Sequence, residues 1–484
     1  MCRSFKCQTL LPKGIGLCIL LFATVGFSKV QVYPQPGDLA PSDQYSLTIE
    51  QGGVSYPSFV YKTTSRNESD FHKNRLTYLY KSTDPATSSF STFCFTESVV
   101  VRVTKLTGQA VSVRIKPTRF GISARLEGNT AVFSLDRPAK VSVEFNDCVT
   151  HSMLVFGDLP EVDVPRQGDP GVKYFGPGIH NIGKVNPVSS NTTIYIAGGA
   201  YLLGMFQGNN VSNVTVRGRG VISGEVFPQC KECMEENMIE MTGSDLHLEG
   251  VTIAGTPHFV MRFKGGSNHS VQNVKMISWY ASTDGIVVGE NSLIEDCFIK
   301  VNDDHIKLYN PHLTVRNVII WPYISGSPFQ WGYSGNGAYD GHDTHVSNVD
   351  VINDGLCTRE GNNRGIFCAS GGVRTTNYVF ENIWIEGPIY RFLKVDGGNL
   401  SQVTFKNVFL TQPPDKPNIV KGSPSDYIFT NMIVAAKPVL KASDAFFPSP
   451  DLPKNMQFFY EPNSLPKPPV RFREIRQAGS DIHK

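Results

Sequence analysis

Two rhythms of apolar and polar positions divide the chain. Between residues 29 and 160, short runs alternate at period two: Tyr45-Ser-Leu-Thr-Ile49, Ser98-Val-Val-Val-Arg-Val103, Ala131-Val-Phe-Ser-Leu135 and Lys140-Val-Ser-Val-Glu-Phe145. Turn residues separate the runs, and no helical period is visible. Such alternation buries one face of a strand and leaves the other wet, which predicts an antiparallel β-sandwich over 29–160.

From residue 161 the pattern changes. A small turn residue is followed at once by an apolar residue and by another two positions on, as in Gly250-Val251-Thr-Ile253, Asn273-Val274-Lys-Met276, Asp296-Cys297-Phe-Ile299, Asn317-Val318-Ile-Ile320 and Asn348-Val349-Asp-Val351. Asn382, Asn407 and Asn431 open further copies. Most steps are 21 to 25 residues, and three stretch to between 30 and 34. A fixed corner residue and β-branched positions at period two are what a stacked solenoid requires. Asn and Gly tolerate the left-handed corner, so identical turns can stack rung on rung. A leucine-rich repeat would need LxxLxL and helices, and a propeller about 40 residues per blade. The expected fold is therefore all-β, an N-terminal β-sandwich followed by a right-handed parallel β-helix over 161–445. The longer steps mark loops grown from single corners. Residues 446–484 form a Pro-rich tail, expected to run extended on the surface or without fixed structure.

Residues 1–28 carry Arg3, Lys6 and Lys13 ahead of the apolar run Ile15 to Phe27, with Gly26 and Ser28 at a cleavage-like position. This reads as a signal peptide, because the run is too short to span a bilayer. Its removal lowers the formal charge from +2 to −1. That balance gives no electrostatic case for a nucleic-acid partner. Secretion also suits the cysteines: of the seven beyond the signal, local pairing suggests Cys94–Cys148, Cys230–Cys233 and Cys357–Cys368, with Cys297 a buried thiol. The Cys230–Cys233 spacing could also be half a zinc site or a redox pair, but no second CxxC or HxxxH accompanies it. Six N-x-S/T sequons, at Asn67, Asn191, Asn210, Asn213, Asn268 and Asn399, are candidates for glycosylation.

The chemistry concentrates at two adjacent corners, Ser282-Thr-Asp284-Gly-Ile286 and Asn302-Asp303-Asp304-His-Ile306. Aligning Ile286/Val288 with Ile306/Leu308 puts Asp284 and Asp304 at the same place on consecutive rungs, about 4.8 Å apart. Asp303 adds a third acid. A single corner Asp is ordinarily a turn former, whereas three converging carboxylates repel one another and raise at least one pKa. Calcium is the rival occupant. The same register directs His305 and Lys307 outward beside the acids, with Arg262 and Gln330 on neighbouring rungs. Trp279, Tyr280, Trp331 and Tyr333 lie close in sequence and could stack on sugar rings. Paired carboxylates of this kind suit glycosidic hydrolysis, one donating a proton while another activates water.

The runs Trp279-Tyr-Ala-Ser-Thr-Asp284-Gly, Asn302-Asp303-Asp304-His-Ile-Lys307, Val315-Arg-Asn-Val-Ile-Ile-Trp321 and Gln330-Trp-Gly332 together resemble glycoside hydrolase family 49, the microbial dextranases and isopullulanase. The resemblance implies the same two-part architecture, Asp303 as general acid, Asp284 and Asp304 holding and activating water, and inversion at the anomeric carbon. The related polygalacturonases share the acids but add a Gly-His-Gly and an Arg-Ile-Lys after them. Here Arg114-Ile-Lys116 precedes the acids and Gly341-His342 is followed by Asp343, which disfavours pectin. The expectation is a secreted, endo-acting glycosidase for an α-linked glucan. Its partner is a polysaccharide, with no cofactor, no metal and no membrane contact after signal removal; the oligomeric state is open. The alternatives are a carbohydrate-binding β-helix without turnover, and a pectin-type polysaccharide hydrolase or lyase, the lyase needing calcium and an Arg or Lys base.

Overall fold

The computed structural model describes residues 29–65, 86–228, 236–280, 282–323, 325–333, 340–353, 364–371, 374–448 and 452–466. The signal segment, Cys230, Cys233, Cys357 and Asn67 lie outside these residues.

The alternating runs of the N-terminal part become two packed sheets. In one, Tyr45–Gln51 pairs antiparallel with Val99–Lys105, which pairs with Thr130–Leu135. The register sets Leu47 against Val103, Ile49 against Val101 and Val101 against Phe133, so the apolar set of each strand shares one buried face. The second sheet runs through Thr87–Phe95, His151–Asp158, Ala139–Phe145 and Val113–Lys116. Its pairing of His151–Asp158 with Thr87–Phe95 is parallel, a departure from the wholly antiparallel sandwich expected.

Thr87–Phe95 is buried at every position, because its outer face lies against the second part of the chain. There Lys300 Nζ donates to Ser88 Oγ at 2.8 Å and Ser152 Oγ at 2.7 Å, and Lys275 Nζ meets Asp158 Oδ2 at 2.5 Å. The indole N–H of Trp279 donates to Thr63 Oγ1 at 3.2 Å. Sandwich and helix thus clamp the rungs that lead into the acidic corners.

The second part is a right-handed parallel β-helix, its strands from Val172–Phe175 onward pairing in parallel with the next rung. Val, Ile, Leu and Phe stack inward in one continuous core. The repeat residues Asn273, Asp296, Asn317, Asn348, Asn382, Asn407 and Asn431 all hold left-handed backbone, φ 53° to 59°. From Asn348 onward each side-chain amide donates to the one on the rung before, at 2.9 to 3.2 Å.

Two expectations need correction. Cys94 and Cys148 are unpaired. Cys94 lies opposite Asp158, at the far end of a strand that begins at His151, so Cys148 is on the order of 20 Å away and beyond disulfide reach. Cys94 instead sits 3.0 Å from the Tyr33 hydroxyl. Part of the tail is also ordered: Gln457–Phe459 pairs in parallel with Ile428–Thr430, and Phe458 stacks on Phe429 at 5.0 Å. Pro-rich flanks did not prevent a last rung from covering an otherwise open apolar end. Cys297 is a buried core thiol, as expected, its pKa pushed up to about 12 by burial.

Candidate active site

Both acidic corners precede two-residue strands of the helix, Ile286–Val287 and Ile306–Lys307, which pair Ile286 with Ile306 and Val287 with Lys307. The next rung sets Phe329 against Ile306 and Gln330 against Lys307. Glycine makes the corners close enough to stack. A Cβ at Gly285 would collide with the carbonyl of His305, and one at Gly326, whose φ is +74°, would collide with the backbone of Asp303.

These turns bring Asp284, Asp303 and Asp304 together, with one oxygen of each within 4.8 Å of the others. Asp303 is the partly exposed member, while Asp284 and Asp304 are buried. The carboxylate of Asp303 accepts the N–H of Ser282 at 2.9 Å and of Asp304 at 3.0 Å. Asp304 Oδ1 accepts the Ser327 N–H at 3.1 Å and its hydroxyl at 3.3 Å. Lys307 Nζ lies 2.8 Å from Asp284 Oδ1 and 3.7 Å from Asp304 Oδ2.

Burial, reinforced by Asp284 and then Asp304, pushes the Asp303 carboxyl well above the carboxylate range. Burial also raises Asp304, to about 6, against the opposing charge of Lys307 and a hydrogen bond from Gln330. Lys307 is desolvated too, but Asp284 above all keeps its ammonium charged. The site therefore favours a shared proton at Asp303, beside carboxylates held by an ammonium. That ammonium supplies positive charge against two of the three acids, Asp284 and Asp304.

Around the trio the expected outward row forms. Glu240, Arg262, Val287, Lys307 and Gln330 are register partners on successive rungs. Arg262 is tied to Glu240 at 2.6 Å. Phe259, a residue the sequence reading passed over, lies under both cations, 4.7 Å from the Arg262 guanidinium carbon and 4.8 Å from Lys307 Nζ. Also missed was His258. It is 1% exposed, with Nδ1 at 3.1 Å from Asn237 Oδ1, and its Nε2 has no hydrogen-bond partner. Asp284, Arg262 and Lys307 are among the charges that act on it, and burial pushes its pKa down. Its corner carries no acid, so no motif drew attention to it.

Four expected site contacts are displaced. His305 is fully buried, its ring nitrogens each 3.3 Å from a backbone carbonyl, of Ser327 and of Trp321. Burial lowers its pKa to about 4, so the ring is neutral and donates to one of the two. It braces the corner. Trp331 points into the core between Phe367 and Phe380, since it follows an outward Gln330. Tyr280 is 5% exposed, too little for a ring to stack on a sugar, and Trp279 is spent on the sandwich contact. Among the sequons, Asn191, Asn210, Asn213, Asn268 and Asn399 are all exposed.

No family model matches the chain. It is 25% identical to a dextranase of Arthrobacter globiformis over 419 residues, covering 66% of this chain and 63% of that one. The chain thus spans less than two thirds of that relative's length. It is 24% identical to an isopullulanase of Aspergillus niger over 459 residues, covering 77% of this chain and 79% of the relative. Among solved structures it is similar to Dex49A from Penicillium minioluteum, with a TM-score of 0.73, 17% identity, and coverage of 89% and 96% of the two chains. That likeness shows a shared fold. The chain is related to the dextranases and to isopullulanase, the proteins of the family-49 resemblance carried by its acidic corners.

Proposed function

We propose that this chain is a secreted glycoside hydrolase that cuts internal bonds of an α-linked glucan with inversion. The observation that carries the reading is the acid trio itself, with one oxygen of each carboxylate within 4.8 Å of the others and Lys307 set against two of them. Relatedness to dextranases and isopullulanase narrows the substrate to α-glucans. In this reading Asp303, whose ionised form is disfavoured, donates its proton to the leaving oxygen. Asp284 and Asp304 accept hydrogen bonds from one water and draw its proton as it attacks. Lys307 lies 2.8 Å from Asp284 and opposes the rise of the Asp304 pKa, and the Gln330 amide orients Asp304. Arg262, half-buried on the rung before Val287, offers a contact for a bound sugar.

The short separation raises a stereochemical question, because inverting acid pairs usually stand about 6.5–9.5 Å apart and retaining pairs about 5 Å. A retaining route would need a bare carboxylate to attack carbon. Asp284 is instead held by Lys307 at 2.8 Å and Asp304 by Ser327 and Gln330, which blunts either as a nucleophile and suits both to binding water.

The test is purified protein against dextran, pullulan, pectins and sulfated glycans, with new reducing ends counted. Release from dextran or pullulan, with a rapid fall in polymer length, supports the proposal. Glycan binding without turnover, unchanged by Asp303→Asn, would establish the binding-protein alternative. Products with ultraviolet-absorbing double bonds would establish a lyase.

A further inference from the structure

At a second corner of the helix, successive rungs again carry left-handed residues: Asn213, Asp245, Asn268, Asn291, His312, Asp343 and Asn377, with φ between 50° and 63°. Side-chain amides link parts of this column, Asn213 to Asn191 at 2.9 Å and Asn268 to Asp245 at 3.4 Å. At His312 the amide ladder is interrupted by an imidazole, and the next rung answers with His342 and Asp343. His342 Nδ1 lies 2.8 Å and His312 Nδ1 3.8 Å from Asp343 Oδ2. One donor atom from each of the three lies within 4.8 Å of the others, and the two rings meet edge to face at 5.0 Å. The backbone N–H of His312 donates to the His342 carbonyl at 2.9 Å, which fixes the rungs beneath the side chains.

We propose that His312, His342 and Asp343 form a binding site for a divalent transition metal, Zn²⁺ above all. Around tetrahedral zinc with bonds of about 2.0–2.1 Å, donor atoms stand roughly 3.4 Å apart, and the separations of 2.8 and 3.8 Å bracket that value. Two imidazoles and one carboxylate are the donor set of borderline metals, whereas calcium and magnesium take oxygen. The Asn377 amide donates to the other oxygen of Asp343, Oδ1, so the carboxylate is already oriented by an outer partner. All three side chains are partly exposed, at 55%, 33% and 45%, which leaves room for entry and for a water in the fourth position. The site departs from the metal-free expectation of the sequence and is independent of the hydrolase reading. It would tie the segment leaving the Lys307 strand, through His312, to the start of His342–Ile352 on the next rung.

The test is calorimetric titration of the chelator-treated full chain with zinc chloride. One saturable site of micromolar affinity is expected, with an increase in Tm on adding zinc. His312→Ala, His342→Ala and Asp343→Asn should each weaken binding by about tenfold or more. His345→Ala, at an exposed neighbour paired with Glu381, should leave it unchanged. Circular dichroism of the metal-free variants separates lost binding from lost folding. Absence of saturable binding below about 100 μM would overturn the proposal. So would binding that survives in the His312→Ala/His342→Ala chain and disappears in a Cys230→Ser/Cys233→Ser chain.

Discussion

At Asp303 two pressures meet: burial and two acidic neighbours disfavour its charge, while two backbone N–H groups point at its oxygens. If it is the proton donor, Asp303→Asn should reduce hydrolysis of dextran or pullulan by about a thousandfold or more. A glycoside with an activated leaving group should keep measurable turnover. Asn at Asp284 or Asp304 should slow both substrates alike, because water activation is needed whatever departs. Equal losses for all three variants on both substrates would reverse this assignment. The pH profile follows from the same charges. Asp304 must be ionised to act, so kcat/KM should fall as pH drops through about 6, and fall again at higher pH as the trio loses its last proton. A profile flat from pH 4 to 9 would contradict the account. Much of this site was legible, since Asp284 and Asp304 follow from aligning apolar pairs and Asp303 from adjacency. The errors were local. Alternation holds within a strand, and the Ile306 strand begins one residue after His305, so no rule made that ring face outward. Trp331 likewise lies one residue beyond the Phe329–Gln330 strand, and its ring turns into the core.

At the scale of the element, the asparagine ladder shows how a corner residue sets the rung. Asn382 holds φ 59°, donates to Asn348 at 3.2 Å and accepts from Asn407 at 2.9 Å. Asn382→Ala forfeits both amide bonds and places an ordinary residue in left-handed backbone. Its expected cost is about 2–3 kcal/mol, read as a lower denaturation midpoint, whereas Asn382→Gly should recover part of it. Equal stability of the Ala variant and the parent chain would deny the ladder a structural role. This element was the most legible of all, because the corner residue and the period-two apolar pair recur together in the sequence. The last rung was not. Gln457–Phe459 belongs to no repeat, and its place is set by the open end of the stack that Phe458 covers.

Across the whole molecule, buried charge joins the sandwich to the helix. Lys275, with its pKa lowered by burial to about 8, meets Asp158 at 2.5 Å. Burial opposes the charge of Asp158, but Lys275, Lys140 and Arg219 outweigh it and hold the carboxyl low. Removing one partner of a buried pair costs about 3–5 kcal/mol, so Lys275→Ala should lower Tm and open the junction to limited proteolysis. An unchanged Tm and digestion pattern would mean that the junction rests on apolar packing, such as Phe156 against Phe298 at 5.3 Å. None of this contact was readable in the sequence, because Lys275 sits in a repeat like any other and its partner is more than a hundred residues away. The clamp bears on function by fixing the rungs that present the acids, and their separation makes stereochemistry the sharpest test. Proton NMR of a dextran or pullulan digest, recorded before mutarotation, reads the anomer of the first new reducing ends. The account predicts β signals appearing first from the α-linked polymer. Retained α signals would mean that a carboxylate, and not water, attacks the sugar.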